Sequence, residues 1–146
     1  MAIPAHIDHF HSVAVAIAAI PGDMTPESIA SACGVELSEI ACAIPGVREL
    51  QGYPVGGAFS IISLRDSLTN RAEPPALTLT PRAGVRLYQS DLERDFTFGR
   101  DLIHIDPHVP PEGTVTFLVQ RGSKDLRFEF TRKSRVLREL TVRPCV

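Results

Sequence analysis

Apolar positions along the chain follow two rhythms. From Asp8 to Ile20 they recur every three or four residues (Phe10, Val13, Ala14, Ile17), the spacing of one helix face, and Pro21-Gly22 ends the run. The stretch DMTPESIASACG then supplies a second helix with its own punctuation. Thr25 is a natural N-cap, Pro26 suits the first helical position, Glu27 favours the positive helix end, and Gly34 is the left-handed residue that closes the turn. VELSEIACAI (35–44) reads as a third, short helix stopped by Pro45-Gly46. From residue 47 the period changes, and VREL and AFSIIS around the turn-rich QGYPVGG predict two strands and a loop.

The piece 63–75, LRDSLTNRAEPPA, is polar and proline-bearing and is taken as a connector. Beyond it the rhythm is that of strands: 77–80, 85–89, 96–98, 102–105, 114–120, 126–131 and 136–142. The best pair is 114–120 with 126–131, joined through RGSKD, where Val115, Phe117 and Val119 alternate with polar neighbours as do Leu126, Phe128 and Phe130. Short strands at this spacing suggest a small antiparallel barrel or sandwich. The predicted class is therefore α+β, with a helical module over 7–62, a connector over 63–75 and a β-rich subdomain over 76–146.

Residues 26–44 resemble the helix-turn-helix superfamily. Ala30 holds the small position where two helices touch, Gly34 the turn, and Ile29, Cys33, Val35, Ile40 and Ala43 the apolar sites. With the helix before and the hairpin after, 7–62 resembles a winged helix-turn-helix with three helices. That resemblance implies DNA binding, with the second helix of the motif in the major groove. Leu37, Ile40 and Ile44 would then face inward and leave Glu36, Ser38, Glu39 and Cys42 toward the groove. Residues 28–44 contain no Lys, Arg, Asn or Gln, the usual readers of bases, and glutamates without a cation are repelled by phosphate. Nucleic-acid contact is therefore expected at the wing (Arg48, Gln51, Tyr53) and on the basic C-terminal strands (Arg127, Arg132, Lys133, Arg135).

Charge sharpens that expectation. The net charge is −2, yet residues 1–47 hold five acids and no Lys or Arg, whereas 121–143 hold eight bases against three acids. The two ends face different electrostatic partners, or each other. Cys33, Cys42 and Cys145 show neither metal-ligand nor disulfide spacing and read as reduced thiols of a cytoplasmic protein. No apolar run reaches the length of a membrane span, and SVAVAIAAI (12–20) lacks the preceding positive charge of an export signal.

All five histidines lie in HIDHFH (6–11) and HIDPH (104–108). On a strand His104 and Asp106 share a face, and with His108 they form a ligand set that zinc or iron(II) accepts. The plainer account is surface histidines near a terminus and at a strand-to-loop corner. No nucleophile elbow, phosphate loop or dinucleotide fingerprint is present, so the reading leans away from an enzyme and assigns no cofactor. Three functions follow in order. The first is a small regulator that binds nucleic acid. The second is a non-enzymatic adaptor or inhibitor whose helix-turn-helix contacts a protein. The third is a metal-dependent enzyme at His104, Asp106 and His108. A homodimer fits the first, since paired modules suit two-fold DNA sites.

Overall fold

The computed structural model describes residues 4–69, 74–98 and 102–145. In chain order the elements are helices α1 (Ala5–Ala18) and α2 (Pro26–Cys33), strands β1 (Ser38–Ile40), β2 (Val47–Gly52), β3 (Phe59–Ser67) and β4 (Ala76–Pro81), the one-turn α3 (Gln89–Leu92), and strands β5 (Leu102–Asp106), β6 (Thr114–Arg121), β7 (Lys124–Thr131) and β8 (Leu137–Pro144). All strands form one eight-stranded antiparallel sheet in the order β1-β2-β3-β4-β8-β7-β6-β5. It is two meanders, β1 to β4 and β5 to β8, joined where β4 pairs with β8 through Leu77↔Val142, Thr78↔Thr141 and Leu79↔Leu140. The connection from β4 to β5 crosses from the middle of the sheet to its edge and places Leu87, Leu92, Phe96 and Phe98 in the core on the way.

α1 forms because its apolar residues fall on one face, and Phe10, Ala14 and Ile17 are fully buried there. Phe10 meets Phe59 at 5.5 Å and Phe128 at 6.3 Å between ring centroids, so the helix covers both meanders. α2 is set by its caps. The Thr25 hydroxyl accepts from the Ser28 amide at 3.1 Å, the Ser28 hydroxyl accepts from the Thr25 amide at 2.9 Å, and Gly34 closes the end at φ 69°. The hairpin between β6 and β7 turns through Gly122 at φ 60°, with Arg121 opposite Lys124.

The winged helix-turn-helix is not there. The segment read as its third helix becomes an irregular stretch and the edge strand β1, which pairs with β2 through Ser38↔Gln51 and Ile40↔Glu49. Val35 and Leu37 alternate inward, and Gly52 makes room for them: a Cβ at that position would lie 2.9 Å from both the Glu36 carbonyl and the Leu37 side chain. A helix of that length is marginal in water on its own, and the hydrogen bonds of the β2 edge decide the outcome. Nor is the second part a closed barrel or a sandwich. β1 and β5 remain the two edges, and α1 rather than a facing sheet covers the apolar side. Residues 85–89 make one bridge, Tyr88↔Val136, before α3, and 96–98 is a loop whose alternation buries Phe96 and Phe98. The expected connector is half strand, since β3 runs to Ser67; residues 70–73 lie outside the described part of the chain.

Lys124, one of the eight bases of 121–143, is fully buried. Its ammonium donates to the Ile20 carbonyl at 2.7 Å, the Gly22 carbonyl at 3.1 Å and the Ser123 hydroxyl at 2.9 Å. A cation at a helix C-terminus is favourable, and α1 has none of its own there, so β7 caps the chain leaving α1 across the fold.

Candidate functional site

One face of the sheet is covered by helices, and the other carries no helix among the described residues. Register places a row of polar side chains across that open face: Ser38, Gln51, Ser63, Thr78, Thr141, Arg127 and then Leu118. Three expected contact residues, Ser38, Gln51 and Arg127, thus share one row although they come from distant parts of the chain. Rows on either side carry charge of both signs. Glu49 faces Arg65, Asp125 faces Arg143, and Glu129 faces Glu139 with Arg138 at 3.5 Å from Glu129. The buried oxygen of Glu49 accepts from the Ser63 hydroxyl at 2.9 Å and from Gln51 at 3.2 Å, and these bonds, the serine first, hold its carboxyl below the usual range. Burial, with Glu129 second, pushes the Glu139 carboxyl up.

Three of the eight basic C-terminal residues are engaged within the fold. Arg121 donates to the Asp95 carbonyl at 2.7 Å and lies 4.7 Å over the Phe96 ring. Arg135, at φ 56°, donates to the Arg132 carbonyl and the Gln89 side chain. Lys124 is buried, and Phe128 and Phe130 point into the core. Arg132 and Lys133 are exposed on the turn between β7 and β8, where Glu112 accepts from the amides of Lys133 and Ser134, each at 2.6 Å. Arg48 is tied to Asp66 at 3.2 Å, Glu39 is exposed on β1, and Cys42 is half-buried in the loop after it.

His104 is exposed on β5, and Asp106 accepts from the His108 amide at 2.9 Å, so its carboxylate shapes the turn. Among the described residues no group of three or more His, Cys, Asp and Glu is arranged to hold a metal. The N-terminal histidines tie α1 to its surroundings: His9 Nδ1 accepts from the Ala58 amide at 3.0 Å, and His11 Nδ1 lies 3.0 Å from Asp95 without the alignment of a hydrogen bond. The three cysteines are free, and burial pushes the Cys33 thiol up to about 12, which leaves it unreactive. No helix among the described residues is long and apolar enough to cross a membrane.

The most built feature of the surface is the loop 53–58 between β2 and β3. Its tip exposes Val55 completely and Tyr53 to 60%. An exposed apolar tip is normally a mobile one, yet this backbone is clamped. Arg82 donates to the carbonyls of Pro54 at 2.7 Å, Phe59 at 2.9 Å and Gly57 at 3.3 Å, while His9 receives the Ala58 amide. The His9 ring sits so close to Gly57, at φ 85°, that a Cβ there would lie 2.5 Å from it. Tyr53 donates its hydroxyl to Gln51, which joins the tip to the open face. Sequence reading marked Gln51 and Tyr53 but missed Val55, Arg82 and His9. The glycine-rich loop was the visible signal; its two clamps come from residues far away in the chain. No protein-family model, curated protein or solved structure matches the chain, and the geometry alone carries the functional reading.

Proposed function

We propose that the protein is a non-enzymatic interaction module that presents the 53–58 loop to a protein partner. The observation that carries this reading is the fully exposed Val55 on a loop whose carbonyls are held by one guanidinium. Holding an apolar residue in water on an ordered backbone removes the ordering cost that binding otherwise meets, and a neighbouring tyrosine is a common energetic anchor. Open-face charge is of both signs and closely interleaved, which suits a protein surface better than a phosphate backbone.

The test has two arms. Titration with random double- and single-stranded DNA at low and moderate salt is expected to give no salt-sensitive binding. Capture from cell extract with the wild-type chain is expected to yield a partner that Val55→Asp and Tyr53→Ala each lose while Arg132→Ala/Lys133→Ala retains it. Salt-sensitive DNA binding lost in Arg132→Ala/Lys133→Ala would overturn the proposal in favour of a nucleic-acid regulator. Capture indifferent to Val55→Asp would remove the loop from the function.

A further inference from the structure

At the opposite end of the sheet, where β2 and β4 begin and β3 and β8 end, lies a cleft of about 360 Å³. Ile44, Val47, Pro74 and Ala76 make the apolar part of its lining, Asp66 and Ser67 add polar groups, and Arg65 and Arg143 stand at its rim. Register explains the shape. Arg65 lies directly opposite Ala76 on one side, and the pair Leu77↔Val142 brings Arg143 alongside Ala76 on the other. A single methyl group therefore sits between two arginine-bearing strands, whose backbones are roughly 10 Å apart at the usual strand spacing. The notch is the space that a larger side chain at position 76 would fill.

Two acids at the cleft are engaged by other residues, and a third, Asp125, lies opposite Arg143 in register, accepts from the Cys145 thiol and makes no ion pair among the described residues. Asp66 is held by Arg48 at 3.2 Å. Glu49 is committed to Ser63 and Gln51 and reaches Arg65 only at 3.6 Å. Arg143 is exposed and has no ion pair among the described residues. Among the described residues Arg143 is thus the cation at the rim without an ion pair, beside the apolar part of the lining.

We infer that this cleft binds an aliphatic carboxylate of medium chain length. The planar fork of Arg143 matches a carboxylate, Arg65 adds field from the second side, and the hydrocarbon chain covers Ile44, Val47 and Ala76. The volume falls within the range of small-ligand sites, and each methylene buried there adds about fourfold in affinity. One cation without an ion pair among the described residues, beside an apolar wall, suits a monoanion with a tail better than a polyphosphate. This site is independent of the clamped loop at the other end.

The experiment is an amide-resolved NMR titration of the full chain with octanoate, with octanol, octylamine and a short apolar peptide bearing a free C-terminal carboxylate as comparators. Octanoate is expected to give saturable shifts around Val47, Arg65, Ala76 and Arg143. Octanol should bind at least tenfold more weakly and octylamine not at all. Arg143→Gln should weaken octanoate about tenfold with an unchanged urea midpoint, and Ala76→Leu should abolish binding by filling the notch. Equal binding of octanol, shifts centred elsewhere, or an unaffected Arg143→Gln would overturn the assignment. Tighter binding of the peptide would overturn it too, in favour of a peptide C-terminus.

Discussion

Strand β7 shows both faces of the sheet in one run of residues. Lys124, Leu126, Phe128 and Phe130 point toward the helices and are fully buried, while Asp125, Arg127 and Glu129, one step out of phase, stay half-exposed on the open face. On the covered side Phe128 packs against Phe96 at 5.0 Å and Phe98 at 4.9 Å, in a cluster that also includes Phe10 and Phe130. On the open side neighbours are hydroxyls and charges of both signs. Apolar burial on the first face supplies the stability, which leaves side chains on the second free to change with little effect on folding.

The difference is sharpest at Phe128. Phe128→Ala should destabilise the fold by about 3–5 kcal/mol, because the space cannot collapse around rings held on several sides. Urea unfolding would show it, and a loss below about 1 kcal/mol would mean that the aromatic cluster does not organise the core. Lys124→Met comes next. It keeps the volume but leaves the Ile20 and Gly22 carbonyls without their donor, and the same measurement should read a loss of about 2–3 kcal/mol.

Two carboxylates of the open face should respond to acid in opposite senses. The folded state lowers the Glu49 carboxyl, so its contribution is present above the ordinary carboxylate range and is lost as pH falls. Glu49→Gln should therefore lower stability at neutral pH, with the deficit closing in acid. Folding raises the Glu139 carboxyl, so ionisation opposes the fold at neutral pH, and Glu139→Gln should stabilise there with a gain that vanishes in acid. Each change is about 0.5 kcal/mol, the scale of a cross-strand polar pair. Urea midpoints at neutral pH and well below the carboxylate range check both signs, and parallel behaviour of the two variants would contradict the assignment. The smallest effect belongs to Arg127→Ala, within about 0.5 kcal/mol, since its Nε has no partner in the structure. A large loss at Arg127 would mean that the open face also holds the fold together.

What was legible in the sequence was local. The Thr25-Pro26 start and Gly34 stop of α2, the apolar face of α1 and the hairpin of β6 and β7 are written within a few residues, and each formed as expected. The third helix failed because its fate depends on Gly52, a residue outside the segment, whose missing Cβ admits the 35–37 backbone against β2. Barrel and open sheet give the same alternation, and only the partner of the apolar face separates them. The same reach in sequence hid the clamps: Lys124 is 104 positions from Ile20, and Arg82 is 28 from Pro54. A linear count of basic residues along the C-terminal strands cannot tell Arg127, on the open face, from Lys124, under α1.

The joining of the two meanders through β4 and β8 also sets an order of events on the ribosome. β4 emerges early, with Leu77 and Leu79 ready to pair, but its partner β8 begins only at Leu137. At 5–20 residues per second the intervening chain takes roughly 3 to 11 s to appear. For that interval the nascent first meander carries an unpaired edge beside buried-type leucines, and its hazard during synthesis is association with another such edge rather than failure to form.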